Sequence, residues 1–219
     1  MEFYLDSANI ETIHHYVSNY NVKGVTCNPT IIIKDGGSIK ELVEQVPKDL
    51  ELYLQVLALD HEGIIAETKY LMSLSPNIIV KIPGTPEGFI AIRKLKEEGI
   101  KTLATAIYSV NQALMAANCG AAYVAPYVNR MCNLEVDGIQ ATLDIQRVFK
   151  EQNVDCKVIA ASFKSTAQVK ELMIEGIGAV TIGADLFEKV VYNKDAVMAA
   201  QEFKDAWEKA YGTTNLITD

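Results

Sequence analysis

Asn77-Ile-Ile-Val-Lys-Ile-Pro83 is a short apolar run of strand length with one amine, Lys81, at its centre. Lysine is almost never buried without a partner, because taking an ammonium out of water is costly and the usual response is a lowered pKa that leaves the amine neutral. A neutral, desolvated lysine is a nucleophile, and it is the group with which enzymes condense on a carbonyl to form a Schiff base. An edge strand whose lysine snorkels to solvent fits the same letters. The choice between them rests on what surrounds the run.

Outward from it, β-branched or apolar stretches alternate with amphipathic helical segments along the whole chain. The pattern predicts strands at 2–6, 24–28, 52–58, 78–83, 101–107, 121–128, 156–163 and 178–183. Between them Ile39, Leu42, Val43 and Val46 keep helical spacing behind a Ser38/Glu41 capping box, and Ser109/Gln112 and Ser165/Gln168 repeat that device after two strands. Pro86 suits a first helical turn, Gly99 a stop, and a last helix carries Val197, Ala200, Phe203, Trp207 and Tyr211. Eight strand–helix units in 219 residues, about 27 residues each, make an α/β chain whose parallel strands close by right-handed crossovers. The expectation is a single-domain (β/α)8 TIM barrel over residues 1–219 with an additional C-terminal helix. A doubly wound open sheet is the competing topology, but its Gly-rich first turn is replaced here by Asp6-Ser-Ala-Asn9.

Composition narrows the functional classes. A hydrophobic content of 49% and charged content of 22% fit an ordinary globular protein. A net charge of −8 argues against nucleic acid as a partner, while leaving small anions open to local cations. The start, Met-Glu-Phe-Tyr-Leu-Asp, has neither the basic residues nor the apolar segment of a signal peptide, and no stretch has the length of a membrane span. We therefore expect a cytoplasmic protein with no membrane partner. The scattered Cys27, Cys119, Cys132 and Cys156 predict reduced packing thiols. Three histidines, two of them the adjacent His14 and His15, are too few for a histidine-rich metal site, so neither metal nor cofactor is expected.

In a TIM barrel the active site lies at the C-terminal ends of the strands. Seven of the expected strands place a polar side chain there: Asp6, Thr26 with Asn28, Gln55, Lys81, Thr105, Tyr127 and Ser162. Period-two alternation points them inward while Val80, Ile82, Val128 and Phe163 face the helices. Each has a plain reading as a cap, turn or strand residue; together they surround one amine. Arg130 and Lys164 follow the sixth and seventh strands. With the hydroxyl of Ser162 they suit a phosphate monoester, unless both are solvated loop charges.

These residues lie in Phe3-Tyr-Leu-Asp-Ser7, Gly24-Val-Thr-Cys-Asn-Pro29, Leu54-Gln-Val56, Ile79-Val-Lys-Ile-Pro83, Thr102-Leu-Ala-Thr-Ala-Ile-Tyr108, Tyr123-Val-Ala-Pro-Tyr-Val-Asn-Arg130 and Ala160-Ala-Ser-Phe-Lys164. Seven ordered motifs, running nearly end to end, resemble those of the small transaldolase family. The resemblance implies a metal-independent Schiff-base aldolase or transaldolase acting on sugar phosphates and ketones, with Lys81 as the nucleophile. It implies that Asp6 assists proton transfer and that Asn28, with Thr26 nearby, binds substrate hydroxyls. It further implies a relay water held by Gln55, Thr105 and Tyr127, and a phosphate held by Arg130, Ser162 and Lys164. A homo-oligomer, commonly a decamer, is implied as well, with the terminal helix packing on a neighbouring subunit. The alternative is that this helix covers its own barrel.

Transaldolases of this family resemble one another in having glutamate on the third strand and phenylalanine on the sixth, where this chain has Gln55 and Tyr127. A neutral amide orients a water but cannot accept its proton, so acid/base work shifts to the Tyr127 hydroxyl. That substitution pattern favours an aldolase over a transaldolase. A phosphosugar-binding barrel without turnover is a further reading, and an isomerase lacks a suitably placed histidine.

Overall fold

The computed structural model describes residues 1–216; residues 217–219 of the expected domain lie outside the described residues. Eight strands, β1 (Glu2–Asp6), β2 (Val22–Thr26), β3 (Glu51–Gln55), β4 (Ile78–Pro83), β5 (Thr102–Ile107), β6 (Tyr123–Pro126), β7 (Lys157–Ala160) and β8 (Ala179–Ile182), pair in parallel in chain order. β8 returns to β1 and closes the barrel. Around it run α1 (Ile10–Asn19), α2 (Pro29–Asp35), α3 (Ile39–Gln45), α4 (His61–Leu74), α5 (Pro86–Glu97) and α6 (Val110–Asn118). They are followed by α7 (Val128–Cys132), α8 (Gly138–Glu151), α9 (Thr166–Ile174), α10 (Ala184–Val191) and α11 (Lys194–Tyr211). The chain is a (β/α)8 TIM barrel with a C-terminal helix, as its periodicity predicts.

Alternation along the strands sorts side chains into two cores. Leu5, Val25, Leu54, Val80, Ile82 and Val128 lie in the layer between barrel and helices, where Phe163 also packs. Tyr4, Tyr53, Leu103, Ala125, Tyr127 and Ile159 fill the lumen. The N-terminal end of the lumen is plugged. Glu51 accepts hydrogen bonds from the hydroxyls of Tyr4 and Tyr53 at 2.9 Å each and of Tyr123 at 3.5 Å, and Lys157 pairs with Glu2 beside them. Burial and these carboxylates raise the pKa values of the Tyr4 and Tyr53 hydroxyls, so the phenols stay protonated donors. With one end filled, the space for a ligand lies at the other.

Several expected strands end early. β2 stops at Thr26, β3 at Gln55, β6 at Pro126 and β7 at Ala160, so Asn28, Tyr127 and Ser162 sit in the turns just past their strands. Helix entry is the reason for the first two. Asn28 is the N-cap of α2, its side chain accepting the Ile31 N–H at 3.1 Å ahead of Pro29. Tyr127 is the N-cap of α7 and keeps only an isolated bridge to Ala161. Ser162 has φ 63°, a left-handed backbone that takes it out of the extended conformation just past the end of β7.

The three serine caps form where the sequence places them. Ser38, Ser109 and Ser165 accept the N–H groups of Glu41, Gln112 and Gln168. The return half of each box differs. Glu41 accepts the Ser38 hydroxyl, whereas Gln112 and Gln168 reach one residue further back, to the N–H groups of Tyr108 and Lys164. Their amide nitrogens are drawn across to neighbouring turns, Gln112 to the Gly84 carbonyl at 2.6 Å and Gln168 to Asn129 Oδ1 at 3.3 Å. Both glutamines therefore tie together the loops that carry the site.

Candidate active site

Lys81 occupies the middle of β4, opposite Gln55 of β3 and Leu103 of β5 in the register. In a closed barrel no strand is an edge, and Lys81 is only 5% exposed, so the snorkelling alternative does not hold. Its side chain makes no hydrogen bond or direct ion pair among the described residues, and it lines a cavity of about 430 Å³ at the C-terminal mouth. The carboxylate of Asp6 is its electrostatic neighbour. Burial raises the Asp6 pKa, while Lys81 and a 2.7 Å hydrogen bond from Thr26 Oγ1 act in the opposite sense. Thr26 Oγ1 in turn lies 2.6 Å from Thr181 Oγ1. Strand β8, the one strand with no polar residue among those expected at the site, thus supplies Thr181 to the cavity wall. The signal was present in the alternation of Ala179, Thr181 and their apolar neighbours.

Across the lumen, Thr105 Oγ1 donates to Tyr127 Oη at 3.0 Å, and the Thr105 side chain is fully buried. Tyr127 makes no other side-chain hydrogen bond among the described residues, which leaves its phenolic proton free to point at a ligand. Gln55 Oε1 is buried with no hydrogen-bond partner. Such an atom is rare in a folded interior, and a donor from substrate or water would satisfy it.

The cations stand above this layer. The Arg130 guanidinium lies 4.7 Å from the centroid of the Tyr127 ring and donates to Tyr108 Oη at 3.4 Å. Stacking and that bond fix its plane and leave further N–H groups for an anion. Tyr108, which is not among the residues expected at the site, packs edge-on to Tyr127 at 5.8 Å. The Ser162 carbonyl accepts the Asn129 N–H at 2.8 Å, so the turn after β7 is pinned to the start of α7. Asp6, Asn28, Lys81, Tyr127, Arg130, Ser162 and Lys164 all line the one cavity; Thr26, Gln55 and Thr105 stand behind it, each hydrogen-bonded or strand-paired to a member of that lining. Lys34, on α2, also lines it and was not singled out in the sequence.

The parallel (β/α)8 barrel thus gathers a buried lysine, a neighbouring carboxylate and two cations on one cavity at the C-terminal end of its strands. The match to a family model described as transaldolase/fructose-6-phosphate aldolase runs over residues 3–216, and the chain belongs to that family. Among solved structures, it is similar to a flavocytochrome b2 mutant with benzoylformate, at 12% identity and a TM-score of 0.65, over 92% of this chain and 62% of that one. A mandelate oxidase mutant with an FMN adduct matches at 13% identity and a TM-score of 0.61, over 91% of this chain and 70% of that one. A flavocytochrome b2 mutant with sulfite bound gives 11% and 0.62, and there the chain spans 84% of itself but 56% of its counterpart. These structures share the fold alone.

Proposed function

We propose that the chain is a metal-independent class I aldolase of the fructose-6-phosphate aldolase type, cleaving fructose 6-phosphate to dihydroxyacetone and glyceraldehyde 3-phosphate, or running the reverse. The family covers both this reaction and transfer of the dihydroxyacetone unit between sugar phosphates. The observation that carries the choice is the hydroxyl of Tyr127, which receives a hydrogen bond from Thr105 and keeps its own proton for the cavity.

In this reading Lys81 attacks the C2 carbonyl and the resulting carbinolamine loses water to give an iminium ion. The iminium draws electrons from the C3–C4 bond as the C4 hydroxyl is deprotonated, and the aldehyde phosphate departs. Asp6, beside the lysine, handles protons in the dehydration. Arg130, Ser162 and Lys164 hold the phosphate away from the bond being broken, supplying position. Tyr127 protonates the enamine carbon through a water oriented by Gln55, and hydrolysis frees the ketone. A glutamate in place of Gln55 would retain the proton instead, leaving the enamine to wait for an acceptor.

Incubation with fructose 6-phosphate and no acceptor tests the choice. Free dihydroxyacetone is expected at a steady rate, and turnover that starts only after erythrose 4-phosphate is added contradicts it. Tyr127→Phe is expected to slow ketone release by roughly 10²- to 10⁴-fold, and Gln55→Glu to shift the products toward transfer.

A further inference from the structure

We propose that Thr181 is a positioning residue for the carbonyl chemistry: its hydroxyl donates to Thr26 Oγ1, which commits the single Thr26 hydroxyl proton to the Asp6 carboxylate beside Lys81. This rests on the Schiff-base reading above, in which Asp6 moves protons at the lysine. Strand β1 runs between β2 and β8 in the closed barrel. Asp6 is in register with Thr26 on one side, and Tyr4, the lumen-facing residue two positions earlier, is in register with Thr181 on the other. The two threonines therefore reach across the inner face of β1 and meet there, with their oxygens 2.6 Å apart. Both residues are buried.

Proton count sets the direction of the pair. A threonine hydroxyl has one proton to donate, and an ionised carboxylate can only accept. Thr26 gives its proton to Asp6 Oδ1 at 2.7 Å, so toward Thr181 it is the acceptor and Thr181 the donor. None of the three side chains makes another hydrogen bond among the described residues, so this chain of hydroxyls is what orients the carboxylate. Successive hydroxyls polarise one another, and donation from Thr181 strengthens the bond that Thr26 makes to the charge. Other groups act on Asp6 through space. Besides burial, which disfavours the charge most, Lys81 of β4 and Lys34 of α2 favour it and Asp35 of α2 opposes it. Asp185 of α10 lines the same cavity, and the Cys27 thiol, kept protonated by burial, donates to the Ser7 carbonyl instead.

Infrared difference titration reads this carboxyl directly, as the carboxylic-acid band that Asp6→Asn removes. Thr181→Val keeps the shape of the side chain and loses the hydroxyl. It is expected to move the midpoint of the band up by roughly 0.3–0.6 pH unit, about a two- to four-fold tighter hold on the proton. The limb of the kcat/KM profile set by Asp6 is expected to move with it. Thr181→Ser restores the donor and is expected to titrate with the wild type. An unmoved midpoint in Thr181→Val, or the same shift in Thr181→Ser, overturns the proposal. Failure of the Schiff-base reading shows separately, as wild-type protein that gains no covalent adduct with dihydroxyacetone while the carboxyl band still differs between the variants.

Discussion

At the scale of single residues, Asp6 makes the clearest pH statement. Burial raises its carboxyl pKa above the ordinary 3.8, with Lys81 and Thr26 only partly offsetting the loss of water. The folded chain therefore holds this proton more tightly than the unfolded chain does. Its contribution to folding is complete below pH 3.8 and is lost as the pH rises through the raised folded value. Asp6→Asn keeps the shape and an acceptor for Thr26 without the charge. We expect the variant to unfold at a higher temperature than the wild type at pH 7, and the gap to close on acidification toward the ordinary aspartate range. A variant less stable than the wild type at pH 7 contradicts this. Activity in the same variant is expected to fall by roughly 10²- to 10⁴-fold. Lys81 and Asp6 were legible in the sequence because a polar residue inside a period-two apolar run has to face the lumen. Lys34 was not, since a lysine near a helix end has the same local appearance whether it meets solvent or a cavity.

At the scale of elements, strand and helix identities were legible and their junctions were not. Asn28, Tyr127 and Ser162 belong by residue type to extended stretches; helix entry moves the first two into turns and a left-handed backbone moves the third, both set by tertiary geometry. The serine caps could be read locally, but the return bonds of Gln112 and Gln168 go to neighbouring βα turns that spacing along the chain does not reveal. The contact between α5 and β4 sharpens the point. A Cβ on Gly88 would lie 2.0 Å from the Pro83 carbonyl oxygen, at the end of the strand that carries Lys81. Backbone cannot yield as a flexible side chain would, so Gly88→Ala is expected to destabilise the fold by about 3 kcal/mol or more. Denaturant unfolding measures it; a loss below about 1 kcal/mol would mean that the helix shifts without penalty.

At the scale of the whole molecule, counting strand–helix units was enough to give a closed barrel, because parallel strands with short crossovers have few other ways to bury both faces. Assembly has no such signature. The terminal helix α11 leaves no residue buried among those described: Phe203 is 74% exposed and Tyr211 65%, and Trp207 stacks on Tyr211 at 4.3 Å. It buries no described residue against its own barrel, which argues against that alternative; packing on a neighbouring subunit is what the family resemblance implies. A chain truncated before Ala196 is expected to sediment as a smaller species than the full chain. An unchanged large assembly after truncation excludes the helix from that role.

The account turns on the amine of Lys81, and covalent trapping tests it most directly. Wild-type protein incubated with dihydroxyacetone and then reduced with borohydride is expected to gain the mass of one reduced ketone adduct per chain, mapped by peptide analysis to Lys81. Unmodified protein after reduction, or an adduct on another lysine, contradicts the central claim.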